Sequence, residues 1–109
     1  MKIVYLVQKL PDLSDEEFKR HWTTTHAELA VAIPGLREYS INLPSTEQRG
    51  QRPLDGYAVL RFDDWESAKA AWQTPQGRAT AADGDLFMAS AQPLIVEPRA
   101  VVDGRGVRL

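Results

Sequence analysis

The chain has 109 residues, with 13 Lys and Arg against 15 Asp and Glu and no cysteine. This length fits one domain able to bury roughly two-thirds of its unfolded surface, and without cysteine there is no disulfide framework, thiolate metal site or cysteine nucleophile. A net charge of −2 with scattered basic residues gives no nucleic-acid footprint, and no apolar run approaches the ~20 residues of a membrane span, so the expectation is a cytoplasmic domain without membrane or nucleic-acid partners.

Residues 2–8 are continuously apolar and β-rich, the pattern of a strand covered on both faces. Pro11-Asp12-Leu13 is a turn, and Ser14 with Glu17 forms a capping box opening a helix, with Asp15 and Glu16 at its positive end. That helix is expected to run to about Ile33 and stop at Pro34-Gly35, with Phe18, Trp22, Leu29 and Ile33 on one stripe. A strand from Leu36 to about Leu43 puts Glu38, Ser40 and Asn42 on one face and Arg37, Tyr39 and Ile41 on the other.

Residues 44–54 are polar and rich in Pro and Gly, a mobile surface loop. A third strand runs from Gly56 to about Phe62. Asp63-Asp64 caps a second helix with apolar Trp65, Ala68, Ala71 and Trp72, interrupted at Thr74-Pro75. Gln76 to Ala82 gives one or two further helical turns, Asp83-Gly84 breaks them, and Leu86-Phe87-Met88 is a short turn. The last strand is expected from Pro93 to about Val102, its proline tolerated at a strand start or sheet edge. The tail 103–109 has no pattern.

The order β-α-β-β-α-β is the split βαβ arrangement, a ferredoxin-like α+β domain spanning 1–109 with a four-stranded antiparallel sheet. Two helices cover one face of such a sheet. The other is expected to carry Tyr5, Tyr39, Ile41, Tyr57 and Val59, too apolar for water, and so to pair with a second copy by a two-fold axis and enclose a cavity.

The chemistry-bearing stretch is Phe18-Lys19-Arg20-His21-Trp22-Thr23-Thr24-Thr25-His26. On an ideal helix His26 falls about 40° from the centre of the apolar stripe and His21 about 100°. His26 is either a general acid/base in a partly apolar pocket or a buried neutral histidine bonded to a carbonyl or tyrosine. His21 is expected near solvent with little role of its own, a secondary candidate for substrate binding. Tyr39 either binds a substrate oxygen or packs with its hydroxyl satisfied. Tyr5, Arg61 and Trp22 complete the substrate-binding candidates, Trp22, Trp65 and Trp72 being most simply packing residues. The histidines sit five apart without the Glu of a zinc-protease helix, and no glycine spacing suits a phosphate loop. No metal or cofactor is expected.

The strand Ile3-Val4-Tyr5-Leu6-Val7, then Leu13-Ser14-Asp15-Glu16-Glu17-Phe18, His21-Trp22, His26-Ala27, Leu29-Ala30 and Pro34-Gly35-Leu36-Arg37-Glu38-Tyr39 resemble the EthD family, named for ethyl tert-butyl ether degradation. Asp55 to Asp63 and Thr74-Pro75-Gln76-Gly77-Arg78 extend the resemblance over residues 2 to about 101. It implies the dimeric α/β-barrel superfamily, a homodimer with a pocket between helices and sheet in each subunit. It implies cofactor-free chemistry of the isomerase, dehydratase or cyclase type on a small apolar ring or carbonyl compound, with the proton roles on His26 and Tyr39. Two alternatives stand beside that activity: a cofactor-independent monooxygenase, and a non-catalytic small-molecule-binding accessory protein in a degradation pathway. Glu28 stands where many relatives carry proline, a change at the pocket mouth.

Overall fold

Alternation along the first strand decides which side of the sheet becomes the core. In the computed structural model, which describes residues 1–109, β1 (Lys2–Lys9) lies inside a four-stranded sheet of order β2-β3-β1-β4. All three pairings are antiparallel. Ile3 and Val7 are buried on one face; a strand has a side-chain period of two, so Tyr5 shares that face and Lys2, Val4 and Leu6 take the other. The register carries this division across the sheet: Tyr5 lies opposite Ala58 on β3 (Gly56–Arg61), and Tyr39 on β2 (Glu38–Asn42) lies opposite Leu60.

Helices cover the face of Ile3. Ser14 caps α1 (Asp15–His21) by accepting from the Glu17 N–H at 3.1 Å, and the chain continues through a π-helical turn (Trp22–His26) into α2 (Ala27–Ala30). After β3, Asp64 caps α3 (Trp65–Gln73) and Thr74 caps α4 (Pro75–Gly84), each accepting from a backbone N–H three residues on. Pro75 stands at the start of α4, where its missing N–H has no intrahelical partner to lose. The apolar core of Ile3, Val7, Phe18, Trp22, Leu60, Phe62 and Phe87 fills the space between helices and sheet.

The split βαβ order holds, and the sheet of one chain is open rather than closed into a barrel. Several details differ from the sequence reading. Tyr57 and Val59 lie on the open face as expected, joined by Val4, Leu6 and Leu94, but Tyr5, Tyr39 and Ile41 lie beneath the helices, because pairing with buried Ile3 and Val7 fixes the parity. The long helix ends at Ala30, and Ala30 rather than Leu29 is buried, a one-residue shift such as a π turn introduces. Asp83 and Gly84 end α4 inside the helix instead of breaking it. β4 runs Met88–Val96, so Pro93 sits within it; β4 is an edge strand, where one side needs no N–H partners. Residues 101–109 form a small hairpin with a bridge from Val102 to Arg108. The loop after β2 is pinned at its far end, where Arg52 bonds Asp15 and Asp55, each at 2.9 Å.

Candidate active site

The π turn is the local feature on which the site depends. Thr23 and Thr24 donate their hydroxyls to the carbonyls of Lys19 and Arg20, at 2.8 and 2.5 Å. Such back-bonding competes with the helical ladder and loosens it. The next turn is wide: the Ala27 N–H reaches the Trp22 carbonyl, five residues back. In a turn of that width residues five apart share a face, so His21 and His26 point the same way, contrary to the expectation that His21 diverges toward solvent.

What they meet is Asp83, in the last turn of α4. His26 Nδ1–H donates to Asp83 Oδ2 at 2.8 Å, and His21 Nε2–H donates to the same carboxylate at 2.9 and 3.1 Å. A carboxylate accepts, so each histidine presents an N–H to it; neutral His26 then keeps its proton on Nδ1 and leaves Nε2 with a free lone pair. Asp83 and His26 are each only 8% exposed, and a carboxylate so placed needs such donors. The His26 pKa lies below its ordinary value, lowered by burial and only partly restored by Asp83. The imidazole is therefore neutral near pH 7, with its Nε2 lone pair available to take a proton. Phe87 packs against both rings, 4.7 Å from His21 and 4.9 Å from His26 between centroids.

His26 lines a cavity of about 510 Å³ between helices and sheet, within the single chain. The place agrees with the pocket between helices and sheet that the family resemblance implies. Tyr5, Tyr39, Ala58 and Leu60 form its floor, Trp22 and Trp72 its walls, and Met88 to Ala91 one rim. Ala58 is short between two tyrosine-bearing strands, and that leaves room. Trp22 is held in place by Gly56: a Cβ there would stand 2.6 Å from the indole, so only glycine lets the ring lie against β3. Tyr5 stacks edge-on against Trp72 at 5.9 Å. The indole N–H groups of Trp22 and Trp72 are buried without a well-formed hydrogen bond. Each lies by a phenol, Trp22 by Tyr39 and Trp72 by Tyr5, and draws that phenol's pKa down against the larger rise that burial causes. Both tyrosines stay protonated near neutrality and have an O–H to donate.

Of the residues singled out from sequence, Tyr5, Trp22, His26 and Tyr39 meet at this cavity. His21 stands behind His26, joined to it through Asp83. Arg61 is not brought to the site. It lies on the opposite face of the sheet, with its Nε 3.2 Å from Glu38. Asp83 reads from sequence only as a helix break, Trp72 as a packing residue and Arg78 as part of the family resemblance; Trp72 and Arg78 line the cavity and Asp83 bonds His26. The inward face of α4 is Gly77, Thr80 and Asp83, a stripe of period three that is not apolar and so gives no amphipathic signal. His21 and His26 both bond Asp83, and no three His, Cys, Asp or Glu side chains are grouped to hold a metal ion. No helix is long and apolar enough to cross a membrane.

Sheet order, helical cover and an internal cavity define a ferredoxin-like α+β protein with an open sheet. The EthD domain profile matches residues 10–91, and the chain belongs to the EthD family. Among solved structures, an EthD family protein from Bacillus halodurans is similar, with TM-score 0.76 and 27% identity over 90% of this chain and 97% of that one. A protein from Thermobifida fusca described as dimeric and ferredoxin-like matches with TM-score 0.68 and 19% identity, over 85% of each chain. A DABB family protein with a ferredoxin-like fold from Mesorhizobium loti has TM-score 0.71 at 10% identity, over 91% of this chain and 96% of that one. The latter two likenesses speak to the fold alone. No functionally curated protein matches the sequence.

Proposed function

We propose that the chain is an acid–base catalyst of the isomerase, dehydratase or cyclase type, acting on a small, largely apolar ring or carbonyl compound. The observation that carries this reading is the 2.8 Å bond from His26 Nδ1 to a buried carboxylate at the wall of an apolar cavity. His26 Nε2 removes a proton from carbon next to a carbonyl. The C–H electron pair becomes the enolate double bond, and negative charge moves to the carbonyl oxygen. Tyr39, and Tyr5 on the far side of Ala58, donate their O–H to that oxygen as its charge grows. The imidazolium, stabilised by Asp83, then returns the proton to another carbon or to a leaving hydroxyl. The aromatic walls take the apolar body of the substrate.

Self-association through the open face belongs to the same reading. Val4, Leu6, Tyr57, Val59 and Leu94 form an apolar centre there, edged by the linked charges of Lys2, Glu38 and Arg61. A similar fold described as dimeric supports it.

The test is solvent deuterium exchange at the α-carbon of cyclic ketones and lactones, followed by NMR with the native chain and His26→Ala. Exchange catalysed by the native chain and lost in the variant is expected. Equal exchange in both would remove His26 from the mechanism.

A further inference from the structure

We propose that residues 97–109 form an arm that packs against a second copy of this chain. The segment lies beyond the residues matched by the family profile, which end at 91. It is nonetheless ordered. The Asp103 carboxylate accepts from the backbone N–H groups of Arg105 and Val107 and from the Arg105 guanidinium, and Leu109 N–H reaches the Val101 carbonyl at 2.7 Å. Gly106 makes the turn at φ +86°.

Every hydrogen bond of this hairpin is internal to it. Its aliphatic side chains are left to water: Val101, Val102, Val107 and Leu109 are 50–70% exposed. The radius of gyration is 15.1 Å, against about 13 Å for a compact chain of this length. No residue of the arm belongs to the buried core, and a hairpin with four exposed aliphatics has the make-up of a surface awaiting a partner.

The partner is a second copy because of where the arm begins. It continues directly from β4, whose Leu94 belongs to the open apolar face and is itself 53% exposed. A copy that covers Leu94 lies three residues along the chain from the start of the arm. This rests on the self-association proposed above.

The test is sedimentation velocity from micromolar to sub-millimolar concentration on the native chain, on a chain ending at Glu97, and on Val102→Glu/Leu109→Glu in the full chain. Both variants are expected to weaken the dimer at least ~10-fold, as removal of buried apolar anchors does, with the thermal midpoint of the dissociated chain unchanged. A full-length dimer whose dissociation constant neither variant alters overturns the arm while leaving the open-face dimer standing. A native chain that stays monomeric throughout overturns both. A double variant that lowers the midpoint of the dissociated chain places the hairpin on its own subunit and also overturns the proposal.

Discussion

The two faces of the sheet come from the same four strands, one residue out of step, and they serve different ends. Beneath the helices, Ile3, Val7, Ala58 and Leu60 are buried, and the cavity opens where tyrosines at 5 and 39 flank a short alanine. On the open side the apolar residues are only partly covered and are bordered by charge: Arg61 to Glu38 at 3.2 Å, and Lys2 to Glu38 at 3.9 Å. The comparison teaches that apolar character in a strand does not say what it is for. On one face it shapes a pocket beside a buried histidine and carboxylate, and on the other it leaves an apolar surface only partly covered.

The sharpest way to break this contrast is to remove the base. His26→Ala should lower exchange by about 10²- to 10⁴-fold, the usual worth of a positioned proton-transfer group, while the fold persists. Steady-state rates read beside a circular dichroism melt would show it. Asp83→Asn comes next. A hydrogen bond to a charged partner is worth about 1.5–3 kcal/mol, so kcat should fall roughly 10- to 100-fold as His26 loses its orienting carboxylate. Because asparagine also supplies an N–H, the ¹⁵N shifts of His26 should reveal a changed tautomer. An unaltered tautomer and rate would leave Asp83 a packing residue.

Acidification tests the same pair without mutation. Burial holds the His26 pKa below its ordinary value of 6.5. The unfolded chain therefore takes up this proton before the folded one does, and between the two pKa values the unfolded state holds more protons. Stability due to His26 is present above pH 6.5 and falls as pH drops toward the folded pKa. Activity should fall over the same interval as the base is protonated. Chemical denaturation at a series of pH values should show a slope there that His26→Gln flattens. The smallest effect belongs to the open face: Arg61→Ala should leave exchange rates unchanged and cost about 0–1 kcal/mol, since its ion pair is largely solvated. A large loss of activity in that variant would contradict the division of labour between the faces.

Much of the fold is legible in the chain. Ser14 and Asp64 mark their helix starts by side chains that accept backbone N–H bonds, and Pro34-Gly35 follows the first helical segment, with Gly35 at φ +82°. The β-rich run at 2–8 is the inner strand flanked by neighbours on both sides. The start of β4 is less legible, because Pro93 reads as a strand start unless the strand is known to lie at an edge. The sequence by itself determined the order of elements and the helix carrying two histidines, and it singled out Tyr5, Trp22 and Tyr39 without saying which side of the sheet they share.

Tertiary structure decided the rest. Parity is relative: only the pairing of Tyr5 with Ala58 and Tyr39 with Leu60 says that both tyrosines face the helices and Arg61 does not. The partnership of His21, Asp83 and His26 joins residues up to 62 positions apart, and it depends on a widened turn that departs from the regular 3.6-residue period. Local pattern assumes the regular helix, so it sends His21 toward water and treats Asp83 as the end of a helix. Long-range packing of α4 against the π turn makes them one site, because a carboxylate buried there is stable only with both imidazole N–H groups turned toward it.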